Sequence, residues 1–328
     1  MNEVTGEFDM IARLFAPLTD GRPGTFDLRN DAATFVASPG HETVITLDTL
    51  CEGIHFFGDD DPAGVARKLL RVNLSDLAAM GARPFGYLLS LARGKSQDDP
   101  WLEAFAAGLK EDQKLFGVTL LGGDTTRTEK GLVLSLTALG EVPMGKALPR
   151  SGAQPGDSVV VSGTLGDAAL GLCILQGKNF GLDAANRAHL VDRYHLPQPR
   201  LQLGHRLVGV AHACLDVSDG LLGDLEHIAQ ASEVTIQLDA SALPLSAAAR
   251  SVLNADAQLL SNVVGGGDDY ELVFTVPASA RPELARIEGE SGIPLTVIGD
   301  VLPGPARVEV LDSERQVLQF ERRGWTHF

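Results

Sequence analysis

The chain has 328 residues, of which 44% are hydrophobic and 21% charged, and its formal net charge is −16 at pH 7. This composition is typical of a folded protein long enough for two domains, and it excludes a disordered or fibrous chain. The acidic excess argues against a nucleic-acid partner, because affinity for phosphate backbones depends on clustered Lys and Arg. Neither a run of about 18 apolar residues nor a signal peptide is present, so we expect a cytoplasmic protein without a membrane partner.

The first half of the chain is predicted to mix helices and strands. Hydrophobic periodicity and turn residues decide each assignment. We expect helices at 8–18, 62–80 and 100–116, and strands at 32–37, 43–47, 85–91, 118–121 and 132–142.

The helix at 62–80 carries polar groups where a core helix usually has methyl groups. Asp61 is a natural N-cap, Pro62 fits the first helical position, and Gly81 can take the left-handed conformation that ends a helix. Asn73 and Asp76 lie side by side along the edge of its apolar stripe. A buried unpaired carboxylate is costly, so Asp76 should meet a cation, a metal ion or N–H donors. The alternative is an ordinary exposed Asp on an amphipathic helix.

The second half repeats the mixture of strands and helices. We expect strands at 158–162, 213–217, 271–276, 295–298, 307–311 and 317–320, and helices at 167–176, 183–194, 200–210 and 220–231. Because the stretch 143–155 is rich in Pro and Gly, we place a domain boundary near Pro149. The prediction is two α+β domains, residues 1–149 and 150–328.

Six aspartates share a pattern that points to metal or phosphate binding. Each lies at a predicted strand end or on a partly apolar helix, close to Gly, Ser or Thr. They are Asp31, Asp48, Asp76, Asp124, Asp216 and Asp219. A single Asp after a strand is usually only an N-cap. At 122–126, however, two glycines let backbone N–H groups approach a ligand, while Asp and Thr offer hard oxygen ligands.

Competing motifs fit less well. The segment 140–147 nearly matches a P-loop, but Ala147 supplies no hydroxyl for Mg²⁺ and the segment leads to Pro149 rather than into a helix. The glycines at 265–267 do not stand in the strand–GxGxxG–helix context of a dinucleotide fold. No nucleophile elbow is present, and nothing indicates a nucleophilic Cys.

An ordered series of motifs closely resembles the thiamine-monophosphate kinase family, within the superfamily of aminoimidazole ribonucleotide synthetase. The motifs lie at 48–56, 72–82, 122–126, 150–153, 162–167, 216–221 and 269–272, and at Gly324-Trp325. The resemblance implies ATP-dependent phosphorylation of thiamine monophosphate to thiamine diphosphate. It also implies an N-terminal α+β domain whose sheet pairs across a homodimer into a barrel, a C-terminal α+β sandwich, and ATP between the two domains.

The same resemblance implies roles for individual residues. Ligands of Mg²⁺ would be Asp31, Thr46, Asp48, Asp76, Asp124, Asp216 and Asp219, of which Asp48, Asp124 and Asp219 are assigned to catalysis. Contacts to ATP would come from Gly123, Asp124, Arg150 and Ser218. Contacts to thiamine monophosphate would come from His55, Asp268 and Trp325.

Three positions depart from the family pattern. Asn30 replaces an acidic residue, Leu47 replaces a hydroxyl residue, and Asp268 replaces a Glu. A metal ligand at Leu47 survives only as its backbone carbonyl. These changes keep two alternatives open, namely another ATP-using synthetase of the superfamily and a catalytically silent dimeric protein that binds metal or thiamine phosphate.

Overall fold

The computed structural model describes residues 6–325. These residues form two compact units, one made of 6–77 and 82–145 and the other of 78–81 and 146–325. Both units combine helices with a β-sheet, so the predicted α+β class is confirmed. The barrel across a dimer stays a prediction.

The described part of the first unit contains a four-stranded sheet in the order β1-β4-β2-β3. Its strands are β1 (His41–Cys51), β2 (Arg83–Arg93), β3 (Thr119–Arg127) and β4 (Val133–Pro143). The helices that begin in this unit are α1 (Glu7–Met10), α2 (Pro62–Ala79) and α3 (Asp99–Phe116). Strand β4 pairs antiparallel with β1 and β2, whereas β2 and β3 are parallel. Strands β1 and β3 therefore form the two opposite edges of the sheet.

Helix α2 begins and ends as the sequence predicts. The Asp61 carboxylate accepts a hydrogen bond from the Gly64 N–H at 2.9 Å, which caps the first turn. Pro62 is the first helical residue, and Gly81 has φ 71°, a conformation that favours glycine. Local signals were sufficient here because each of these residues acts on its own helix end.

Three predictions about regular structure in the chain were wrong or incomplete. Residues 32–37 form no strand and are mostly exposed, and no strand among residues 6–325 pairs with them. Residues 317–320 contribute only a single bridge, between Leu311 and Val317. The N-terminal segment is helical, but after α1 it continues as π-helical and 3₁₀ turns through Thr19.

Strand β3 is longer than predicted and contains Gly122 and Gly123, which lie beyond the strand end expected at residue 121. A Cβ atom on Gly123 would lie 2.0 Å from the Leu89 carbonyl oxygen. Glycine is therefore required because the backbones of β2 and β3 approach closely at this point, which is another reason for glycine inside a strand.

The second unit has a six-stranded sheet among its described residues, in the order β10-β7-β9-β5-β8-β6. The strands are β5 (Asp157–Ser162), β6 (Ala213–Asp216), β7 (Thr235–Asp239), β8 (Leu272–Pro277), β9 (Leu295–Leu302) and β10 (Arg307–Leu311). The helices are α4 (Asp167–Leu175), α5 (Ala184–His195), α6 (Leu201–Leu207), α7 (Leu221–Ser232), α8 (Ala247–Ala255), α9 (Leu260–Gly265) and α10 (Arg281–Ser291). Apolar side chains from the sheet and from most of these helices form its buried core.

The helices were also compared with the requirements of a membrane span. Within residues 6–325, none is both long enough and apolar enough to cross a bilayer.

Candidate active site

Two side chains of α2 hold strand β1 at the predicted metal ligands. The Thr46 hydroxyl donates to a carboxylate oxygen of Asp76 at 2.5 Å. The Asn73 side-chain oxygen accepts from the Asp48 N–H at 3.1 Å, while its amide nitrogen donates to the Leu69 carbonyl at 2.9 Å. The pair predicted on the helix, Asn73 and Asp76, therefore reaches the two predicted ligands on the strand. Asp76 is half-buried, and one of its partners is this hydroxyl.

Asp124 lies on the other edge of the same sheet. In the strand register Asp124 is paired with Ser90, Ser90 with Ser135, and Ser135 with Thr49. The Thr49 and Ser135 hydroxyls are 2.7 Å apart, which places this row on the face opposite to Thr46 and Asp48. Three strand spacings of about 4.8 Å separate β1 from β3, so these two edge strands are about 14 Å apart. Asp48 and Asp124 therefore lie on opposite edges and opposite faces of the sheet.

The face that carries Asp124 borders an open cavity of about 860 Å³. Asn30, Asp31, Leu47 and Gly123 line this cavity together with Asp124. The structure thus brings two of the predicted acidic ligands, Asp31 and Asp124, to one cavity. The Leu47 side chain borders the same cavity and is 60% exposed. Because this side chain has no donor atom, any metal ligand at the position is the Leu47 backbone carbonyl.

The predicted substrate residue His55 sits in a turn that a buried lysine holds. The His55 Nδ1 atom accepts from the Cys51 N–H at 3.0 Å. Lys68, only 2% exposed on α2, donates to the His55 carbonyl at 3.1 Å. Sequence reasoning gave Lys68 no role, although a lysine on the buried face of a helix is itself unusual.

In the second unit, two segments that carry predicted site residues are joined by backbone hydrogen bonds. The Asp268 N–H donates to the Ser218 carbonyl at 2.9 Å, and the Tyr270 N–H donates to the Val217 carbonyl at 2.8 Å. The Trp325 N–H donates to the Asp219 carbonyl at 2.9 Å. The structure therefore brings Ser218, Asp219, Asp268 and Trp325 to one end of the sheet, next to the buried Asp216 at the end of β6.

Asp268 has a left-handed backbone, with φ 70°, and Tyr270 has φ 51°. Such conformations cost of order 1 kcal/mol or more for residues other than glycine, and they persist only where neighbours fix them. Here the intervening Asp269 accepts from the Gly166 N–H at 2.7 Å. Burial raises the pKa of Asp269 well above its usual range.

Glu271 fixes the other end of this segment. Its carboxylate accepts two hydrogen bonds from the Arg200 guanidinium, of which the one from Nε is 2.7 Å long. It accepts a third from the Ser162 hydroxyl at 2.5 Å. The ion pair is mostly buried, with 6% of the Glu271 side chain and 20% of the Arg200 side chain exposed. Arg200 and Glu271 are positioning residues that the sequence analysis did not assign, because their pairing spans 71 residues.

A further carboxylate stabilises the Asp219 loop. Asp224, in the first turn of α7, accepts from the N–H groups of Asp219 at 3.1 Å and Gly220 at 3.0 Å. Burial, and next the charge of Asp219, raise the pKa of Asp224 to about 7, whereas the two hydrogen bonds and the charge of Arg150 lower it. The predicted ATP contact Arg150 therefore acts electrostatically on the same loop.

The donor atoms of the predicted metal ligands are carboxylate and hydroxyl oxygens. Hard oxygen donors suit Mg²⁺, which normally keeps several waters and binds through one or two carboxylates plus substrate phosphates. In residues 6–325 no three His, Cys, Asp or Glu side chains lie close enough together to hold a metal ion. The residues present thus fit Mg²⁺ in donor chemistry, with the remaining ligands coming from water and phosphate.

Comparison with known proteins covers nearly the whole chain. A family model described as AIR synthase related protein, N-terminal domain, matches residues 29–142, and the corresponding C-terminal domain matches residues 154–311. A thiamine-monophosphate kinase from Caulobacter vibrioides is 42% identical over 98% of this chain and 90% of the relative. The chain belongs to the thiamine-monophosphate kinase family.

Solved structures of the thiamine-monophosphate kinase family have the same fold. The enzyme from Stenotrophomonas maltophilia has 43% identity and a TM-score of 0.80, with 86% of this chain and 89% of that chain covered. A structure described as AaThiL complexed with AMPPCP and TMP has 30% identity and a TM-score of 0.78, with coverages of 98% and 97%. The family predicted from the motifs is confirmed, whereas the roles of single residues stay predictions.

Proposed function

We propose that this protein transfers the γ-phosphoryl group of ATP to thiamine monophosphate and so forms thiamine diphosphate. The observation that carries the proposal is similarity along almost the full chain to thiamine-monophosphate kinases, one of which is described as a complex with AMPPCP and TMP. Another synthetase of the superfamily is not favoured, because the relatives at 40–42% identity are named as kinases.

The reaction asks for little covalent chemistry from the protein. A phosphate ester is largely dianionic at pH 7, since its second pKa is about 6, so it is already a nucleophile. The difficulty is to bring two polyanions together next to a chain of net charge −16. Divalent cations between the carboxylates and the phosphates remove this difficulty.

We assign the metal-holding role to the predicted acidic and hydroxyl side chains. They are Asp31, Thr46, Asp48, Asp76, Asp124, Asp216 and Asp219. When bound, Mg²⁺ would neutralise the phosphate oxygens and align the two substrates. The support is the oxygen-only donor set, the Thr46–Asp76 hydrogen bond, and the shared cavity of Asp31 and Asp124.

The substrate roles rest on the second unit and on the His55 turn. We propose that Ser218, Gly123 and Arg150 contact ATP and that His55, Asp268 and Trp325 contact thiamine monophosphate. The left-handed Asp268 supports this role, because hydrogen bonds of Asp269 and Glu271 to other protein groups fix its conformation. Such pre-organisation reduces the entropy lost on binding.

We also propose that the enzyme is a homodimer built through the N-terminal sheet. Strand β1 is an edge strand of 11 residues, and its side chains Ile45 and Leu47 are 62% and 60% exposed. A long edge strand with exposed apolar side chains is normally covered by another segment or another chain. A second copy would cover this face and would also offer a second set of ligands to Asp124, which lies on the edge strand opposite to that of Asp48 in its own chain. Light scattering should give about twice the 34.7 kDa chain mass.

We place the reaction in the cytoplasm. The cysteines Cys51, Cys173 and Cys214 are free thiols, as is usual in reducing compartments.

The direct test is incubation with MgATP and thiamine monophosphate followed by detection of thiamine diphosphate. We expect product with Mg²⁺ and none after EDTA is added. Binding of both ligands without product would instead identify a silent binder, in which the substitutions at Asn30, Leu47 and Asp268 have removed catalysis.

A further inference from the structure

A separate cavity of about 460 Å³ lies within the second unit. It is lined by residues of the α4, α5 and α8 regions and by Asp269 and Glu271, on either side of Tyr270. The site residues predicted in this unit, Arg150, Asp216, Ser218, Asp219, Asp268 and Trp325, do not line it. The residues to which substrate or metal roles are assigned above therefore lie outside the cavity, although Arg200, Asp269 and Glu271, which position Asp268, contribute to its wall. Its volume is within the range of about 300–1,000 Å³ that small-molecule sites occupy.

One carboxylate of the cavity, Asp167, already has hydrogen-bond donors. It accepts from the Thr164 hydroxyl at 2.7 Å, the Ser246 hydroxyl at 2.5 Å and the His189 Nε2 at 3.1 Å. Its side chain is 2% exposed. A carboxylate with three donors in a buried position has little capacity left to attract a cation.

The other two carboxylates of the lining are also compensated. Glu271 is neutralised by the two-fold hydrogen bond from Arg200. Asp269 accepts from backbone N–H groups, and burial raises its pKa well above the usual range. The acidic residues of the cavity therefore do not make it a cation site.

Two arginines of the lining, by contrast, have donors to spare. Arg250 on α8 is exposed, and among residues 6–325 no group accepts a hydrogen bond from its guanidinium. Arg193 on α5 is partly exposed and pairs with the neighbouring Asp192 through one terminal nitrogen. Its Nε atom is shielded from solvent, so an acceptor in the cavity would bond to the terminal nitrogens of the two guanidinium groups.

We propose that this cavity binds a small organic phosphate. Arginine presents a fork of donors that matches phosphate oxygens. Because Arg193 and Arg250 come from two different helices, a tetrahedral phosphate, with oxygens in several directions, can accept from both forks. A carboxylate has two oxygens in one plane and serves one fork better. Pro244 and Leu245 supply an apolar wall for the carbon part of the ligand.

Calorimetric titration with glycerol 3-phosphate, in buffer that contains EDTA so that metal-dependent binding elsewhere is absent, tests the proposal. The wild-type protein should bind saturably in the millimolar range or tighter. Arg193→Ala and Arg250→Ala should each weaken binding by about tenfold or more, since each removes charge-assisted hydrogen bonds. Arg193→Lys keeps the charge but loses the fork, and should weaken binding less than Arg193→Ala.

Two control variants separate this cavity from the rest of the unit. Arg206→Ala removes a guanidinium that pairs with Glu290 and does not line the cavity. Ser218→Ala alters the predicted ATP site. Both should bind glycerol 3-phosphate as the wild type does.

Three results would overturn the proposal. They are absence of saturable binding to the wild type, equal weakening in the control variants, and unchanged affinity in every Arg193 and Arg250 variant. Succinate that binds as tightly as glycerol 3-phosphate would assign the cavity to carboxylates and reject the phosphate class.

Discussion

The two units hold their predicted site residues in different ways. In the first unit Thr46 and Asp48 lie on one edge strand and Asp124 on the other, with the edge strands about 14 Å apart. In the second unit Ser218, Asp219, Asp268 and Trp325 lie on three segments that backbone hydrogen bonds join. Hydrogen bonds within one chain hold the second arrangement together, whereas the first needs substrate phosphates, metal ions or a second copy to connect its parts.

The largest expected effect concerns the predicted metal ligand Asp124 in the first unit. Asp124→Asn should reduce kcat by at least about 10²-fold, because the amide keeps the shape of the side chain but loses the charge. Thermal melting without ligand should change little, since Asp124 is exposed. Asp59→Asn, at another exposed position of the same unit, is the matched control and should keep normal turnover. Near-normal turnover of Asp124→Asn would remove its metal role.

The next prediction concerns the ion pair that holds the Asp268 segment in the second unit. Arg200→Ala leaves the Glu271 carboxylate buried without its ion-pair partner, so the free energy of unfolding of this unit should fall by about 3 kcal/mol. Arg206→Ala removes a half-exposed pair with Glu290 and should cost less than about 1 kcal/mol. Urea denaturation of both variants measures the difference. Equal losses would show that the Arg200 pair does not stabilise the segment that carries Asp268.

Asp268 itself tests what that segment does. A hydrogen bond to a charged group contributes roughly 1.5–3 kcal/mol, so Asp268→Ala should raise the KM for thiamine monophosphate about tenfold or more and leave the KM for ATP nearly unchanged. Asp268→Glu restores the side chain usual in the family and should be tolerated. If Asp268 only supports the glycine-rich turn at 265–267, Asp268→Ala will lower the melting temperature with both KM values unchanged.

The last prediction concerns the pH dependence of stability. The folded-state pKa of Asp224, about 7, is above its unfolded value, so the folded protein binds more protons than the unfolded chain between about pH 4 and pH 7. The Asp224 contribution to stability is therefore lost as the pH rises through this window. Asp224→Asn, which keeps an oxygen for the N–H groups of Asp219 and Gly220, should remove this slope.

Denaturant titrations of wild type and Asp224→Asn with EDTA at several pH values measure that slope. Parallel pH profiles of the two proteins would contradict the raised pKa.

The parts of the fold that the sequence predicts correctly depend on local chemistry. Asp61, Pro62 and Gly81 set the limits of α2 because each acts within one helical turn of its own position. The strand predicted at 32–37 failed because an apolar run contains no information about whether a pairing partner exists. The strand end predicted at residue 121 was wrong because glycine is also required where two strand backbones are in close contact, as at Gly123.

In the candidate site, too, the residues with a local sequence signal were predicted and those with distant partners were not. Motif resemblance located Asp268 and Ser218, which the structure places side by side. It did not locate the groups that position them, such as Arg200, because their partners are distant in sequence and their side chains carry no local signal.

The central claim is direct transfer of the γ-phosphoryl group to thiamine monophosphate. A ³¹P NMR time course of the wild-type protein with MgATP and thiamine monophosphate tests it most directly. We predict that the diphosphate signals of thiamine diphosphate and ADP will rise together in equal amounts while inorganic phosphate stays at its starting level. Release of ADP and inorganic phosphate without thiamine diphosphate would contradict the claim.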